Sequence, residues 1–163
     1  MNKRVSDITA RIAVRSSNER SAYLKSIRAA RLTKPARRRM GCANLAHVTA
    51  ASPAAEKKTL AQGEQANIAI LTAYNDMLSA HQPFVSFPSE IKAIASQLGC
   101  TAQVAGGVPA MCDGITQGTE GMELSLLSRD VVALSASIGL SHSVFDAALA
   151  LGVCDKIVPG LVI

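Results

Sequence analysis

The sequence predicts an α/β fold in which helices cover both faces of a parallel sheet. Three apolar runs lack the alternation of half-buried strands, and helical segments separate each run from the next. The order strand, helix, strand, helix, strand is typical of a parallel sheet. Only 3% of the 163 residues are aromatic and Trp is absent, so the core must consist largely of Ala, Val, Ile and Leu.

The first predicted strand covers residues 67–73, "NIAILTA", and stops at the polar segment "YNDMLSAHQP". A helix is predicted to begin at Glu90 with Ser89 as its N-cap, and to end before Gly99. This part of the sequence therefore predicts a buried strand that leads into a functional loop.

The second predicted strand covers residues 101–107, "TAQVAGG", and breaks into "AMCDGITQGTEG". A long helix is predicted from about Met122 to Ile138, and a short helix from about Val144 to Leu149. The third predicted strand, "LALGV" at residues 149–153, ends at "CDKIVPG".

Residues 1–40 are predicted to form a basic helical arm, followed by the α/β domain at residues 41–163. The arm holds 12 of the 17 Lys and Arg against two acidic residues, whereas the remainder holds 5 against 10. Its apolar spacing indicates one or two amphipathic helices. A nucleic-acid arm, a membrane-surface helix and a transit peptide are alternatives, but a solvated helix face explains the pattern best. "KPARRR", residues 34–39, is interpreted as a linker or a phosphate contact.

Compartment and thiol state follow from two further features. No apolar run is long enough to cross a bilayer, and the N-terminus lacks the apolar block of a secretory signal. The four cysteines form no CxxC pair, and in a reducing compartment such thiols are more often free, catalytic or metal-bound than disulfide-linked. The sequence therefore predicts a soluble cytoplasmic protein without disulfide bonds. Cys100 is interpreted as a small core residue.

Polar or metal-binding side chains follow all three predicted strands. Open α/β sheets bind their ligands beyond the carboxyl ends of the strands. The dipeptide Cys-Asp follows two of them, as Cys112 with Asp113 and as Cys154 with Asp155. Thiolates prefer iron or zinc, whereas carboxylates prefer magnesium, calcium or manganese. Both side chains of a Cys-Asp pair reach one cavity only if the strand has already turned there.

Lys156 and His81 are the candidate catalytic residues. A desolvated Lys156 near bound cations would favour the neutral amine, which acts as a base or is modified into a ligand; an ordinary ion pair with Asp155 is an equal alternative. His81 follows a strand end, which distinguishes it from His47 and His142.

Three long segments resemble a known enzyme family. "AYNDMLSAHQPF", "QVAGGVPAMCDGITQGTEGMELSLLSRDVVALSASIGLSH" and "FDAALALGVCDKIVPGL" are similar to the N-terminal part of the dihydroxy-acid and phosphogluconate dehydratases, and the resemblance covers essentially the whole chain. Within the family, "SAHQP" and "AMCDG" favour the phosphogluconate branch. The resemblance implies an iron-sulfur hydro-lyase that dehydrates 6-phospho-D-gluconate in the Entner-Doudoroff pathway, as a homodimer.

The resemblance also implies roles for the "CDK" and "CDG" residues. The cysteine of the CDK motif is a cluster ligand in the family, which assigns Cys154 to an iron-sulfur cluster, with 4Fe-4S favoured over 2Fe-2S. Asp113, Asp155 and Lys156, the last as its carbamate, correspond to magnesium ligands of the dihydroxy-acid branch. Cys112 is either a compensating cluster ligand or a bystander thiol, because the family cysteine that follows "YND" is absent here.

The resemblance further implies that this chain is an N-terminal fragment. Family members carry a second, β-rich domain with a further cluster cysteine and the serine associated with the general base. We therefore expect the fragment to be inactive alone, and its exposed sheet edge predicts self-association.

Two other classes of function compete with this interpretation. A non-catalytic zinc module would use Cys42, His47, Cys112 and Cys154, although these lack the paired spacing of zinc fingers. A nucleic-acid-binding protein would act through the basic arm, and the acidic remainder of the chain argues against it. Another sugar-acid or dihydroxy-acid dehydratase is the alternative within the family.

Overall fold

A computed structural model describes residues 2–30 and 35–163. The chain divides into two compact units, Met1–Thr33 and Lys34–Ile163. The first unit contains one long helix, α1 (Lys3–Ala30). This helix is longer than 18 residues, yet no described helix is apolar enough over such a length to cross a membrane.

The second unit contains the α/β domain. Its helices and strands, in chain order, are α2 (Cys42–Ala50), α3 (Ala54–Gln62), β1 (Asn67–Thr72), α4 (Phe87–Gln97), β2 (Thr101–Gly107), α5 (Asp113–Thr116), α6 (Ser125–Leu140), β3 (Ala147–Leu151) and α7 (Ile157–Val162). Short 3-10 helices cover Ala36–Arg39, Gln82–Val85 and Glu120–Leu124.

The described strands form a parallel sheet in the order β2-β1-β3. The central strand, β1, pairs with β2 from Asn67↔Thr101 onward, and the register shifts after Ile70. Helices lie on both faces of this sheet. On one face, α6 and α7 pack against β1 in a cluster that includes Leu71, Val132 and Ile157. On the other face, Ala95 of α4 packs against Ile70 and Ala102. The predicted α/β class is therefore confirmed.

Three local predictions were wrong. No helix forms at residues 144–149, because residues 147–151 pair with β1 as β3, and this pairing outweighs the local spacing. The strand also ends at Leu151, two residues earlier than predicted. Helix α4 begins at Phe87, so its N-cap is Ser86 rather than Ser89; Pro88 in the first turn favours this earlier start.

The segment interpreted as a linker contributes instead to the amino end of the sheet. Lys34 lies outside the described residues, but the Arg37 side chain is fully buried in the second unit. Its Nη1 donates to Asp146 Oδ2 at 3.1 Å, and its Nη2 donates to the Gln65 carbonyl at 2.5 Å. Asp146 Oδ2 also accepts the Asn67 amide at 2.8 Å. Arg37 is therefore a structural residue on the far side of the sheet from the strand ends.

Apolar side chains are exposed on the second unit. Residues 147–150 of β3 are exposed, although they are all Ala or Leu. On α6, Leu126, Leu134 and Ile138 are more than 60% exposed. A strand that is apolar on both faces is typical of the inside of a parallel sheet, so this surface is suited to burial by further protein.

Candidate functional site

The carboxyl ends of the three strands lie side by side. The Val108 amide donates to the Thr72 carbonyl at 2.9 Å, and the Ala73 amide donates to the Leu151 carbonyl at 2.9 Å. Hydrogen bonding between strands thus continues one residue beyond β1 and β2. The three following loops consequently begin at one edge of the sheet, where open α/β sheets bind ligands.

Asp113 is held by two side chains from other elements. It is the first residue of α5, and its Oδ1 accepts a hydrogen bond of 2.8 Å from the Ser125 hydroxyl at the start of α6. Its Oδ2 accepts a hydrogen bond from the Lys156 ammonium. The loop after β2, helix α6 and the loop after β3 therefore meet at this carboxylate.

Lys156 lies between two carboxylates. Besides Asp113, its Nζ contacts Asp155 Oδ2 at 3.0 Å, and only 13% of the lysine side chain is exposed. The hydrogen bonds that the Lys156 ammonium donates to Asp113 and then to Asp155 raise the pKa of Lys156. The ion pair that the sequence left open is therefore present, and this arrangement favours the ammonium over the neutral amine.

Both carboxylates are stabilised in their charged forms. The pKa of Asp113 is lowered by the hydrogen bond from Lys156 and then by that from Ser125. The pKa of Asp155 is lowered by Lys156 and then by the Cys154 thiol. Two ionised carboxylates beside one cation form an oxygen-rich position in which a divalent cation would compete with the ammonium.

Cys154 occupies a sharp turn after β3. Its φ of +95° lies in the left-handed region, which is costly for a residue other than Gly. This turn supplies the change of direction that a Cys-Asp pair needs, and the Cys154 thiol lies 3.3 Å from Asp155 Oδ1. Burial raises the pKa of Cys154, and the hydrogen bond to Asp155 and the nearby Cys112 raise it further. The metal-free thiol is therefore protonated at neutral pH, so metal binding must release a proton.

Cys112 directly precedes α5 as its N-cap residue and is half-buried. The carboxylate of its neighbour Asp113 contacts the ammonium of Lys156, two residues after Cys154. The two Cys-Asp pairs thus lie in the two loops that meet at this ion pair.

His81 occupies a buried position in the segment after β1. Only 1% of the residue is exposed, and its Nδ1 has no hydrogen-bond partner among the described residues. Its ring packs edge-on against Phe84, with 5.9 Å between centroids. Burial lowers the pKa of His81, although a backbone contact with Ala73 opposes the shift. The imidazole is consequently neutral.

The donors form two incomplete sets. Within the described ranges, no group of three or more His, Cys, Asp and Glu side chains lies close enough to hold a metal ion. The four residues of the zinc alternative are not assembled, since Cys42 and His47 are exposed on α2. Any metal held by Cys112 and Cys154, or by Asp113 and Asp155, needs further ligands.

Sequence reasoning did not single out Ser125. The residue is only 4% exposed and bonds to a predicted metal ligand. The sequence shows Ser125 only as a hydroxyl residue at the start of an apolar helix. Its separation of 12 positions from Asp113 does not indicate that the two side chains touch.

Comparisons with known proteins place the chain among dehydratases. Residues 65–163 match the family described as "Dihydroxy-acid/6-phosphogluconate dehydratase N-terminal". The chain is 58% identical over 163 residues to a phosphogluconate dehydratase of Pseudomonas aeruginosa, covering all of this chain and 27% of the relative.

Two further relatives extend this comparison. The identity is 55% over 161 residues to a phosphogluconate dehydratase of Escherichia coli strain K12, covering 99% of this chain and 27% of the relative. It is 38% over 95 residues to a dihydroxy-acid dehydratase of Akkermansia muciniphila, covering 58% and 17%. The chain thus spans about a quarter of the length of the phosphogluconate dehydratases that it matches.

Proposed function

Because the chain belongs to the dihydroxy-acid/6-phosphogluconate dehydratase family, we propose that it is the N-terminal part of a phosphogluconate dehydratase. This hydro-lyase would convert 6-phospho-D-gluconate to 2-dehydro-3-deoxy-6-phospho-D-gluconate in the Entner-Doudoroff pathway. The observation that carries the proposal is 58% identity across the whole chain to a phosphogluconate dehydratase, against 38% over 95 residues to a dihydroxy-acid dehydratase.

We propose that Cys154, assisted by Cys112, binds an iron-sulfur cluster of the 4Fe-4S type. Two observations support the fit: thiolate sulfur is the donor that such clusters prefer, and the strained turn at Cys154 brings its thiol to the carboxyl ends of the strands. A bound cluster iron would supply a Lewis acid for the departing 3-hydroxyl.

The oxygen donors fit a hard cation such as Mg²⁺. Asp113 and Asp155 converge on the Lys156 ammonium, and carboxylates are the ligands that Mg²⁺ prefers. We propose that they bind Mg²⁺ and that Lys156 joins them if its amine is modified to a carbamate. Without Mg²⁺, the Lys156 ammonium itself is a positive group that can stabilise charge developing on the substrate carboxylate.

His81 is proposed as an acid-base group of the same reaction. Its buried, neutral imidazole is in the form that accepts a proton. Otherwise, the general base for the C2 proton would be the serine that the family resemblance assigns to the C-terminal part of the full-length protein.

Assembly and location follow from this proposal. The exposed apolar residues of β3 and α6 support burial by the remainder of a longer protein and by a second copy in a homodimer. A phosphorylated sugar acid is a substrate of the cytoplasm, which we propose as the site of action.

The function is tested with the full-length protein, purified anaerobically and supplied with 6-phospho-D-gluconate or a 2,3-dihydroxy acid. We expect the 2-keto product from 6-phospho-D-gluconate in preference to the dihydroxy acid, and no turnover by residues 1–163 alone. Preferential turnover of the dihydroxy acid would contradict the proposed substrate. Zinc bound without iron, sulfide or turnover of either compound would favour the non-catalytic zinc module.

A further inference from the structure

We infer that Ser125 is a positioning residue that orients the Asp113 carboxylate toward the proposed cation site. This inference rests on the proposed function, because it concerns the cation that Asp113 would bind. The main observation behind the inference is the hydrogen bond of 2.8 Å that the Ser125 hydroxyl donates to Asp113 Oδ1.

Asp113 needs such a partner because its own segment constrains it weakly. Helix α5 has four residues, and 32% of the Asp113 side chain is exposed. A carboxylate in this position can rotate unless a second group fixes one of its oxygens. The Ser125 hydroxyl holds Oδ1, so that Oδ2 is directed to Lys156.

Ser125 is well anchored for this role. It is 4% exposed and begins α6, whose Val132 and Ala136 are buried in the core against β1. Gly139 of the same helix lies so close to β2 that an added Cβ would be 3.3 Å from the Ala105 carbonyl oxygen. The hydroxyl is thus attached to an element that the sheet holds in place.

The contact of Ser125 differs from those of ordinary helical serines. Ser128, one turn later, donates to the Ser125 carbonyl at 2.6 Å, which is a local bond within the helix. The Ser125 hydroxyl instead reaches a carboxylate outside its helix. Groups that hydrogen-bond metal-ligating carboxylates orient them, and their loss typically weakens metal affinity about 10- to 100-fold.

The test measures Mn²⁺ binding by electron paramagnetic resonance in the full-length protein, with Mn²⁺ as the probe for the hard-cation site. For Ser125→Ala we expect affinity to fall about 10- to 100-fold, with iron and sulfide content unchanged. Asp113→Asn should lose at least as much. Ser128→Ala is the matched control and should bind as the unsubstituted protein does.

Ser125→Thr retains the hydroxyl and should restore most of the affinity, which a purely structural role of the small side chain would not predict. This variant also keeps the inference testable if Ser125→Ala fails to fold. Full Mn²⁺ affinity in folded Ser125→Ala would overturn the inference, as would loss of affinity in Ser125→Thr equal to that in Ser125→Ala.

The same measurement separates the two proposals. Absence of Mn²⁺ binding by the unsubstituted protein would overturn the positioning role. Normal Mn²⁺ binding with the expected loss in Ser125→Ala, but without turnover of 6-phospho-D-gluconate, would contradict only the proposed function.

Discussion

The Lys156 ammonium contacts the carboxylate of Asp113, although the two residues are 43 positions apart in the chain. This contact joins the loop after β2 to the loop after β3, and Asp155 provides a second carboxylate on the same ammonium. The charged form of each of these three side chains is therefore stabilised by its contact with the oppositely charged group.

The ion pair is expected to depend on pH at both ends of the scale. Because Lys156 holds the pKa of Asp113 below its ordinary value, the pair adds stability at neutral pH that is lost as the pH falls from the ordinary carboxyl pKa through the lowered one. Because the pKa of Lys156 is raised, this stability is also lost as the pH rises from the ordinary lysine pKa through the raised one. The thermal unfolding midpoints of the protein and of Lys156→Met, measured across pH, should differ most near neutrality. An equally large difference between the two unfolding midpoints at pH 2 would show that the stability does not come from this ion pair.

Cys154 should react slowly with alkylating reagents in the metal-free protein. Its pKa is raised, so that little thiolate exists at pH 7.5, whereas the exposed Cys42 is accessible. Mass spectrometry after timed iodoacetamide treatment should show Cys42 modified before Cys154. Asp155→Asn removes one cause of the raised pKa and should increase the rate at Cys154; an unchanged rate would contradict this cause.

Loss of the Cys154 thiol should abolish the iron-sulfur cluster. In the reconstituted full-length protein, Cys154→Ser is expected to lose bound iron and sulfide, while Cys42→Ser, at an exposed position on α2, retains both. Cys112→Ser separates its two interpretations, since a ligand lowers cluster content and a bystander thiol leaves it unchanged. Full cluster content in Cys154→Ser would contradict the proposed cluster site.

Arg37 is expected to matter for stability rather than for substrate binding. Arg37→Met leaves Asp146 and the Gln65 carbonyl without their partner and should lower the free energy of unfolding by about 3–5 kcal/mol. Arg38→Met, which removes a largely exposed pair with Glu64, should cost at most about 1 kcal/mol. Chemical denaturation measures both variants. Equal effects would show that burial of the Arg37 pair is unimportant.

Gly160 is required where α7 approaches α6. A Cβ at this position would lie 2.7 Å from the Arg129 carbonyl oxygen and 2.9 Å from Val132 Cβ. Gly160→Ala should therefore cost about 1–3 kcal/mol of stability and displace Lys156 at the start of α7. Gly106→Ala is the control, since within the described chain no atom lies within 4 Å of its added Cβ. A similar loss in both variants would contradict the packing argument.

The sequence by itself determined the fold class and most of the sheet. Residues 67–72 and 101–107 form strands as predicted, because a short run of small and apolar residues between polar or turn segments is a local signal for a strand. The resemblance also identified the family, since its long motifs are written in consecutive residues. The Cys-Asp pairs that follow two of the strands predicted which residues would lie near the carboxyl edge of the sheet.

Only the tertiary structure decided which side chains meet. The contacts of Asp113 with Lys156 and Ser125, and of Arg37 with Asp146, join positions 12 to 109 residues apart. The local spacing predicted a helix at residues 144–149, but residues 147–151 form β3 because they pair with β1. Local patterns report the environment of one segment, whereas ion pairs and strand pairing depend on where a second segment folds.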